Sequence, residues 1–327
     1  MKQSRPLTAP GTRGTQGGAI PHPPDLDRHV LRKYPLERVF TFINEKMLYC
    51  RHLGLRGEPK RLFSAGDAKA LELKKLVEEM KDEAAARKLI ESSAVFSFFG
   101  ANSEGDSIKV FAPSGELLEI FPFPRRHDGK KLCLSDFTAP APPDRARRRE
   151  RDGVDARDWG RRPDSVRPPS PELSAGGTQG SPLTAPEARG TQGRDYIAMF
   201  AVTCGKKPQE EAAALRKKGE LVRSHLINIL SIVCAEALAE AVHEDIRRMW
   251  GFPDPPGTTL KEKLRSGYRG KRFSFGYPQC PDLSNQSKLF KLLKPDELGI
   301  TLTDSFMMEP EASVTALVFH HQRAEYF

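Results

Sequence analysis

The strongest hydrophobic signal in the chain is Leu221–Ile246, where apolar residues fall on nearly every face of a 3.6-residue period: Leu226, Ile227, Ile229, Leu230, Ile232, Val233, Leu238, Val242 and Ile246. A helix apolar all round is central rather than superficial. The helical pattern starts at Glu210 and runs to Trp250, where Gly251 and the prolines after it stop it. Shorter helical patterns cover Leu36–Leu48, Lys261–Arg265 and Asn285–Leu293. A strongly charged one covers Gly66–Glu91, with Leu71, Leu73, Leu76, Val77, Met80 and Ile90 as its candidate buried positions. Strand patterns occur at Ala94–Gly100, Ser107–Ala112, Gly115–Phe121, Leu132–Phe137, Tyr196–Thr203 and Ala312–Phe319, the second and third reading as a hairpin. Helices and strands mix without a βαβ rhythm. The predicted class is therefore α+β, a single domain with a mainly antiparallel twisted sheet flanked by helices.

Two stretches lack any such pattern. Residues 1–33 read as a disordered arm and residues 141–194 as a low-complexity disordered insertion, leaving 34–140 and 195–327 as one folded domain. The two stretches share a repeat: PLTAPGTRGTQG at Pro6–Gly17 recurs as PLTAPEARGTQG at Pro182–Gly193, ten of twelve positions being identical. With one leucine per copy it has no apolar face to stack on a neighbour, so it reads as a repetitive element without a folded role.

Composition adjusts this picture in three ways. The net charge of +9 invites a nucleic-acid reading, but residues 1–33 hold +4 of it and residues 144–194 hold +3. The remainder is nearly neutral, so no nucleic-acid partner is expected. No apolar run is expected to span a membrane, and the N-terminus has no apolar signal region, so a cytoplasmic protein without membrane attachment is expected. The five cysteines, at 50, 133, 204, 234 and 280, are odd in number and include no CxxC pair, which argues against a disulfide scaffold or a structural metal site and fits a reducing compartment.

Three constellations could carry chemistry. On the central helix, Glu236 lies among Val233, Ala237 and the Ile229–Val233 apolar stretch, a costly place for a carboxylate unless it meets a donor or a cation. Nearby, Glu240 and His243 have an E-x-x-H spacing, but a single copy reads as a solvated or hydrogen-bonded pair rather than a metal site. Tyr268–Asp282 concentrates aromatics, Arg272, Gly276 and two prolines. There Arg272 could grip a carboxylate through its fork, Gly276 permits close backbone approach, and Tyr277 offers a ring and a hydroxyl. The loop reads equally as a rigid turn. At the C-terminus, His320 and His321 would point to opposite faces of a strand, which disfavours a metal site.

Together these segments resemble one family. RFSFGYPQCPDL, LTDSFMMEPEASVTALVFHH and the terminal AEYF resemble the activation domain of cobalamin-dependent methionine synthase. LCLSDFTAP, DYIAMFAVTCG, CAEALAEAVHEDIRRMWG, FFGANSEGDSIKVF and VFTFINEKMLYCRHLGLRG extend the likeness to everything outside the arm and the insertion. The resemblance implies the fold of that domain, binding of S-adenosylmethionine, and docking over a cobalamin carried by a partner protein. It implies further that, after oxidation to cob(II)alamin, an electron from a flavodoxin-like donor and the sulfonium methyl regenerate methylcobalamin. By the same resemblance Arg272 holds the methionyl carboxylate, and Gly276 and Tyr277 complete its motif with Tyr277 on the cobalamin side as the catalytic position. Glu236, Phe273, Tyr326 and Phe327 fall at the ligand, and Asn44 stands where better-known members carry aspartate, keeping an acceptor without the charge.

The cobalamin-binding D-x-H-x-x-G pattern is absent, since Asp27 and His29 are followed by Arg32, and no cysteine-rich zinc site occurs. The expectation is a stand-alone module of a methyltransferase system that serves a cobalamin-binding methionine synthase chain in trans. A reactivation module for another corrinoid methyltransferase, or a relic interrupted by a repeat element, are the alternatives.

Overall fold

A computed structural model of the chain describes residues 20–141 and 194–327. The first part carries strand β1 (Arg28–Leu31), helix α1 (Leu36–Thr41), a π-helical segment (Lys46–His52), α2 (Pro59–Ser64), α3 (Ala68–Ala86), β2 (Ser93–Glu104), β3 (Ser107–Phe111), β4 (Leu117–Pro122) and a 3-10 turn (Leu134–Phe137). The second carries β5 (Asp195–Thr203), α4 (Lys207–Lys217), α5 (Leu221–Met249), α6 (Leu260–Lys263), β6 (Lys271–Phe273), α7 (Asn285–Leu293), the pair β7 (Thr301–Leu302) and β8 (Met308–Glu309), and β9 (Ser313–Phe319).

One antiparallel sheet organises these elements in the order β4-β3-β2-β5-β9-β6, with β1 lying beside β2. Side chains alternate across a strand, and both faces of this sheet are covered. Phe96, Phe98, Ala198, Phe200, Val202, Ala316 and Val318 face a core built with α3, α4 and α5. Val95, Phe99, Ile197, Met199, Leu317 and Phe319 face a second core closed by Leu134, Phe137, Leu289 and Leu293. The α+β class and the antiparallel sheet flanked by helices are as the sequence predicts.

The central helix α5 is 29 residues long, predominantly apolar and mostly buried. By length and composition α5 would therefore qualify as a membrane span, contrary to the expectation that no stretch approaches one. Most of its apolar surface is covered by the protein, Leu221 and Val222 at its start being exposed. The predicted helix Glu210–Trp250 is two helices, because Gly219 at φ 81° breaks the chain between them. Similarly, Asp67 caps α3 by accepting from the Ala70 N–H at 2.8 Å, so the helix begins at Ala68 rather than Gly66, and Leu71 is exposed. The predicted strand Leu132–Phe137 is a 3-10 turn instead. Asp136 accepts the Cys133 N–H at 2.9 Å and is held by the Arg125 fork at 2.8 and 2.9 Å, which closes the backbone locally.

Part of the predicted disordered arm is ordered. Arg28–Leu31 pairs with Ala94–Ser97, the stretch of the β2 edge that β3 does not reach. An edge segment needs partners for its N–H and C=O groups, and this strand supplies them. Upstream of it, the Trp250 indole N–H donates to the Pro21 carbonyl at 2.9 Å, and Ile20 and Leu26 pack on the core. Residues 1–19 and 142–193, and with them both copies of the repeat and nearly all of the predicted insertion, lie outside the described residues. Arg194, assigned to the insertion by sequence, belongs to the fold: its guanidinium lies 4.1 Å from the centre of the Phe111 ring and donates to the Gly115 carbonyl at 3.2 Å.

The two described parts meet closely where the predicted insertion leaves and re-enters. Pro140 bridges to Ser103 and Asp195 pairs with Ala101, two residues away on the same strand. The buried Asp195 carboxylate accepts the Ala139 N–H at 2.7 Å and the Tyr196 N–H at 2.7 Å, and contacts His320 Nε2 at 2.6 Å.

Candidate functional site

A cavity of about 430 Å³ opens between the π-helical segment, α5, the loop after α6, β6 and the C-terminal residues. Its wall near Asn44 is shaped by a local irregularity. The amphipathic pattern from Leu36 predicts a continuous helix to Leu48, whereas α1 stops at Thr41 and the backbone resumes with a wider turn in which the Leu53 N–H reaches the Leu48 carbonyl at 3.1 Å. The Asn44 side chain caps that turn by accepting the Met47 N–H at 3.2 Å. Asn44, Met47 and His52 thereby reach the same wall.

The opposite wall is α5. Glu236 and Glu240 are one turn apart and share a face. The sequence marks Glu236 as the buried carboxylate, but the structure reverses this. The Glu236 side chain is 55% exposed at the open end of the cavity, and the Glu240 side chain is 9% exposed. The cover over Glu240 is Tyr268, whose hydroxyl donates to Glu240 Oε1 at 2.7 Å. Burial, followed by Glu240, pushes the Tyr268 phenol upward, so it remains a donor. Arg272 lies between the two carboxylates, with Nη2 at 3.3 Å from Glu236 Oε2 and Nε at 3.3 Å from Glu240 Oε2. Burial works against its charge, but Glu240 and Glu236 outweigh this and hold the guanidinium above its ordinary range.

Arg272 is carried by β6, which joins the sheet through Arg272↔Val318. The approach to this strand depends on Gly270, at φ 76°, where a Cβ would lie 2.8 Å from the Phe319 carbonyl oxygen. No sequence pattern singles out Gly270. After β6, Gly276 takes φ 87° and its N–H donates to the Cys280 carbonyl at 2.8 Å, closing a tight loop that leaves Tyr277 60% exposed at the mouth. Tyr326, half exposed, anchors its hydroxyl on the Arg272 carbonyl at 3.0 Å.

Of the residues selected from the sequence, Asn44, Glu236, Arg272, Tyr277 and Tyr326 therefore meet in one cavity. Gly276 shapes the loop beside it. Phe273 is instead a core residue beneath Tyr326, with ring centres 5.2 Å apart, because alternation along β6 turns it away from Arg272. Phe327 packs on the second core against Phe137, its carbonyl held by the Gln279 side-chain amide. Tyr268, the first residue of the aromatic-rich loop, also lines the cavity, as do Phe42, His52 and Lys263, which carry no sequence signal of their own.

His243, read with Glu240 as a solvated or hydrogen-bonded pair, is neither. It is fully buried, both ring nitrogens lack a hydrogen-bond partner among the described residues, and its ring meets Tyr268 edge-on at 5.3 Å. Burial, with Arg247, Arg272 and Lys271 nearby, holds the imidazole well below its ordinary range. An unfolded histidine takes up a proton below about pH 6.5, whereas this one does so only at lower pH. Its contribution to stability is therefore complete above that pH and is lost as pH falls below it. His243→Phe should flatten the wild-type loss of stability between pH 6.5 and 5 in denaturant titrations, and equal slopes would contradict this assignment.

No cluster of metal-ligating side chains occurs among the described residues. All five cysteines are free. Burial pushes the Cys234 and Cys280 thiols up to about 12 and raises those of Cys133 and Cys204. In a native thiol titration at pH 8, Cys50 alone should react promptly, and the other four should follow only on unfolding. Prompt reaction of a second thiol would show that one of the buried sites opens.

Comparison with known proteins agrees with the likeness carried by the sequence. Methionine synthase of Mycobacterium leprae (strain TN) is 27% identical over 321 residues, covering 94% of this chain and 23% of that protein. Methionine synthase of Mycobacterium tuberculosis (strain ATCC 25618 / H37Rv) is 27% identical over 330 residues with the same coverage. The chain thus spans about a quarter of the length of these curated relatives. A crystal structure of the MetH reactivation domain bound to AdoHcy has the same fold, with a TM-score of 0.74 at 22% identity, covering 99% of this chain and 89% of that one. Residues 183–327 match the family of the vitamin B12 dependent methionine synthase activation domain, and the chain is similar to methionine synthase over most of its length.

Proposed function

We propose that the cavity binds S-adenosylmethionine and that the chain supports reductive remethylation of a cobalamin carried by a methionine synthase partner. The observation that carries this reading is Arg272 beside the open-faced carboxylate of Glu236. An amino acid zwitterion presents the complementary pair, its carboxylate to Arg272 and its ammonium to Glu236. Asn44 adds a neutral acceptor, and the exposed rings of Tyr277 and Tyr326 offer faces to a sulfonium or a purine. The sulfonium supplies an electrophilic methyl group, and a flavodoxin-like donor supplies the one electron that makes the oxidised cobalt nucleophilic. The chemistry is that of the cofactor, and the contribution of this chain is to hold the methyl group in place. Tyr277, at the mouth, is the residue we place against the partner's cobalamin.

The test is reconstitution. A methionine synthase truncated before its activation domain, with its cobalt in the cob(II) state, is mixed with this protein, reduced flavodoxin and S-adenosylmethionine. Methylcobalamin should appear in the absorption spectrum when all four are present, at a rate that rises with the concentration of this protein, since docking is intermolecular. Proven ligand binding without methylcobalamin would overturn the reactivation role. The same reading treats the described parts, 20–141 and 194–327, as one activation domain and the residues between them as dispensable to it, so a chain joining 141 to 194 through a short linker should bind the ligand equally well.

A further inference from the structure

Arg272 is gripped by two carboxylates that differ in kind. Glu236 touches Nη2 from an exposed position, where water can replace it when a ligand carboxylate arrives. Glu240 lies along the other edge, within 3.3 Å of both Nε and Nη2, and is almost buried. A buried carboxylate cannot exchange its partner for solvent without a large cost. Its second oxygen is already committed to the Tyr268 hydroxyl at 2.7 Å. Tyr268 is fixed in turn. The Arg247 guanidinium lies 3.8 Å from its ring centre, and Arg247 is itself clamped by Asp254 at 2.8 and 2.7 Å. Among the described residues no hydrogen bond engages Arg272 Nη1, which leaves the end of the fork for a ligand.

Building on the proposed ligand site, we infer that Glu240 and Tyr268 are its positioning residues: Tyr268 orients Glu240, Glu240 holds Arg272 by its Nε edge, and the Nη end of the guanidinium is thereby presented to the ligand carboxylate. Glu236 is the exchangeable partner and Glu240 the fixed one. The arrangement resolves a conflict, since an arginine paired on all sides could not bind an anion and an arginine paired on none would lose its orientation in the cavity.

The inference is tested on the full chain with S-adenosylhomocysteine as the probe in calorimetric titration. Tyr268→Phe keeps the ring and its packing and removes the hydroxyl, and should weaken binding roughly tenfold, the effect of losing a hydrogen bond to a charged group. Because the hydroxyl acts through Arg272, the same substitution in an Arg272→Ala background should change the remaining affinity less than about twofold. A general structural role would instead weaken both backgrounds equally, and that result would overturn the inference. A second readout needs no ligand. The Arg272 Nε–H proton should exchange slowly in the wild type and faster in Tyr268→Phe and Glu240→Gln, measured by nitrogen-15 NMR of the full chain. Unchanged exchange in both variants overturns the inference, whereas a wild type that fails to bind the probe while showing the predicted exchange overturns the proposed function alone.

Discussion

Replacing Arg272 by alanine is expected to weaken S-adenosylmethionine binding by about 2–4 kcal/mol, the usual scale when one member of a desolvated charge pair is removed. The size follows from the surroundings. Arg272 is the cation between Glu236 and Glu240, and its loss leaves two carboxylates one helical turn apart with no positive charge between them. The ligand carboxylate would then meet repulsion as well as losing its partner. Arg272→Lys should recover part of the loss, because a point charge satisfies the carboxylates but cannot offer one edge to Glu240 and an end to the ligand together. Calorimetry on the three proteins decides the matter, and equal affinity in wild type and Arg272→Ala would remove this residue from the site.

The largest effect on stability is expected at a residue far from the cavity. Asp195 is fully buried and satisfies the Ala139 N–H, the Tyr196 N–H and His320 Nε2. Asp195→Ala strands all three polar groups at the point where the two described parts of the chain meet. A loss of about 3–5 kcal/mol is expected, the range found when a buried charged group loses its partner. Urea denaturation should show a lower midpoint with an unchanged slope. His320→Ala should reproduce part of the loss and add little to Asp195→Ala, since both remove the same contact. A wild-type midpoint in Asp195→Ala would mean that the strand pairing alone closes this region.

The long, strongly patterned elements were legible in the sequence because their signals are local: α5 by its all-round apolar period, β2, β5 and β9 by their apolar runs, and the β3–β4 hairpin by its two adjoining strand patterns. What was not legible depends on parts of the chain distant in sequence. The four residues of β1 make a strand because β2 leaves an edge there. Periodicity places Glu236 and Glu240 on one face of α5 but cannot say which is covered, since the cover is Tyr268, 28 positions beyond Glu240. The convergence of Asn44, Glu236, Arg272, Tyr277 and Tyr326 was reachable from the family likeness. Phe42, His52 and Lys263 were not, because they reach the cavity from a broken helix and a short turn. Phe273 and Phe327 fall out of the cavity for a simpler reason: alternation along β6 and packing against Phe137 turn them into the second core.

The juncture around Asp195 also bears on whether this fold requires a continuous chain. The pairing of Ser93–Ala101 with Asp195–Thr203, in the middle of the sheet, joins a strand on one side of the juncture to a strand on the other. Each side alone would expose a long apolar strand edge, the kind of edge that recruits a partner. Severed there, the two pieces would act as complementary fragments, each supplying the template for the other, with the Asp195 carboxylate serving as the latch between separate polypeptides. Asn44 and Glu236 would then come from different molecules, and the cavity would exist only after the two had associated.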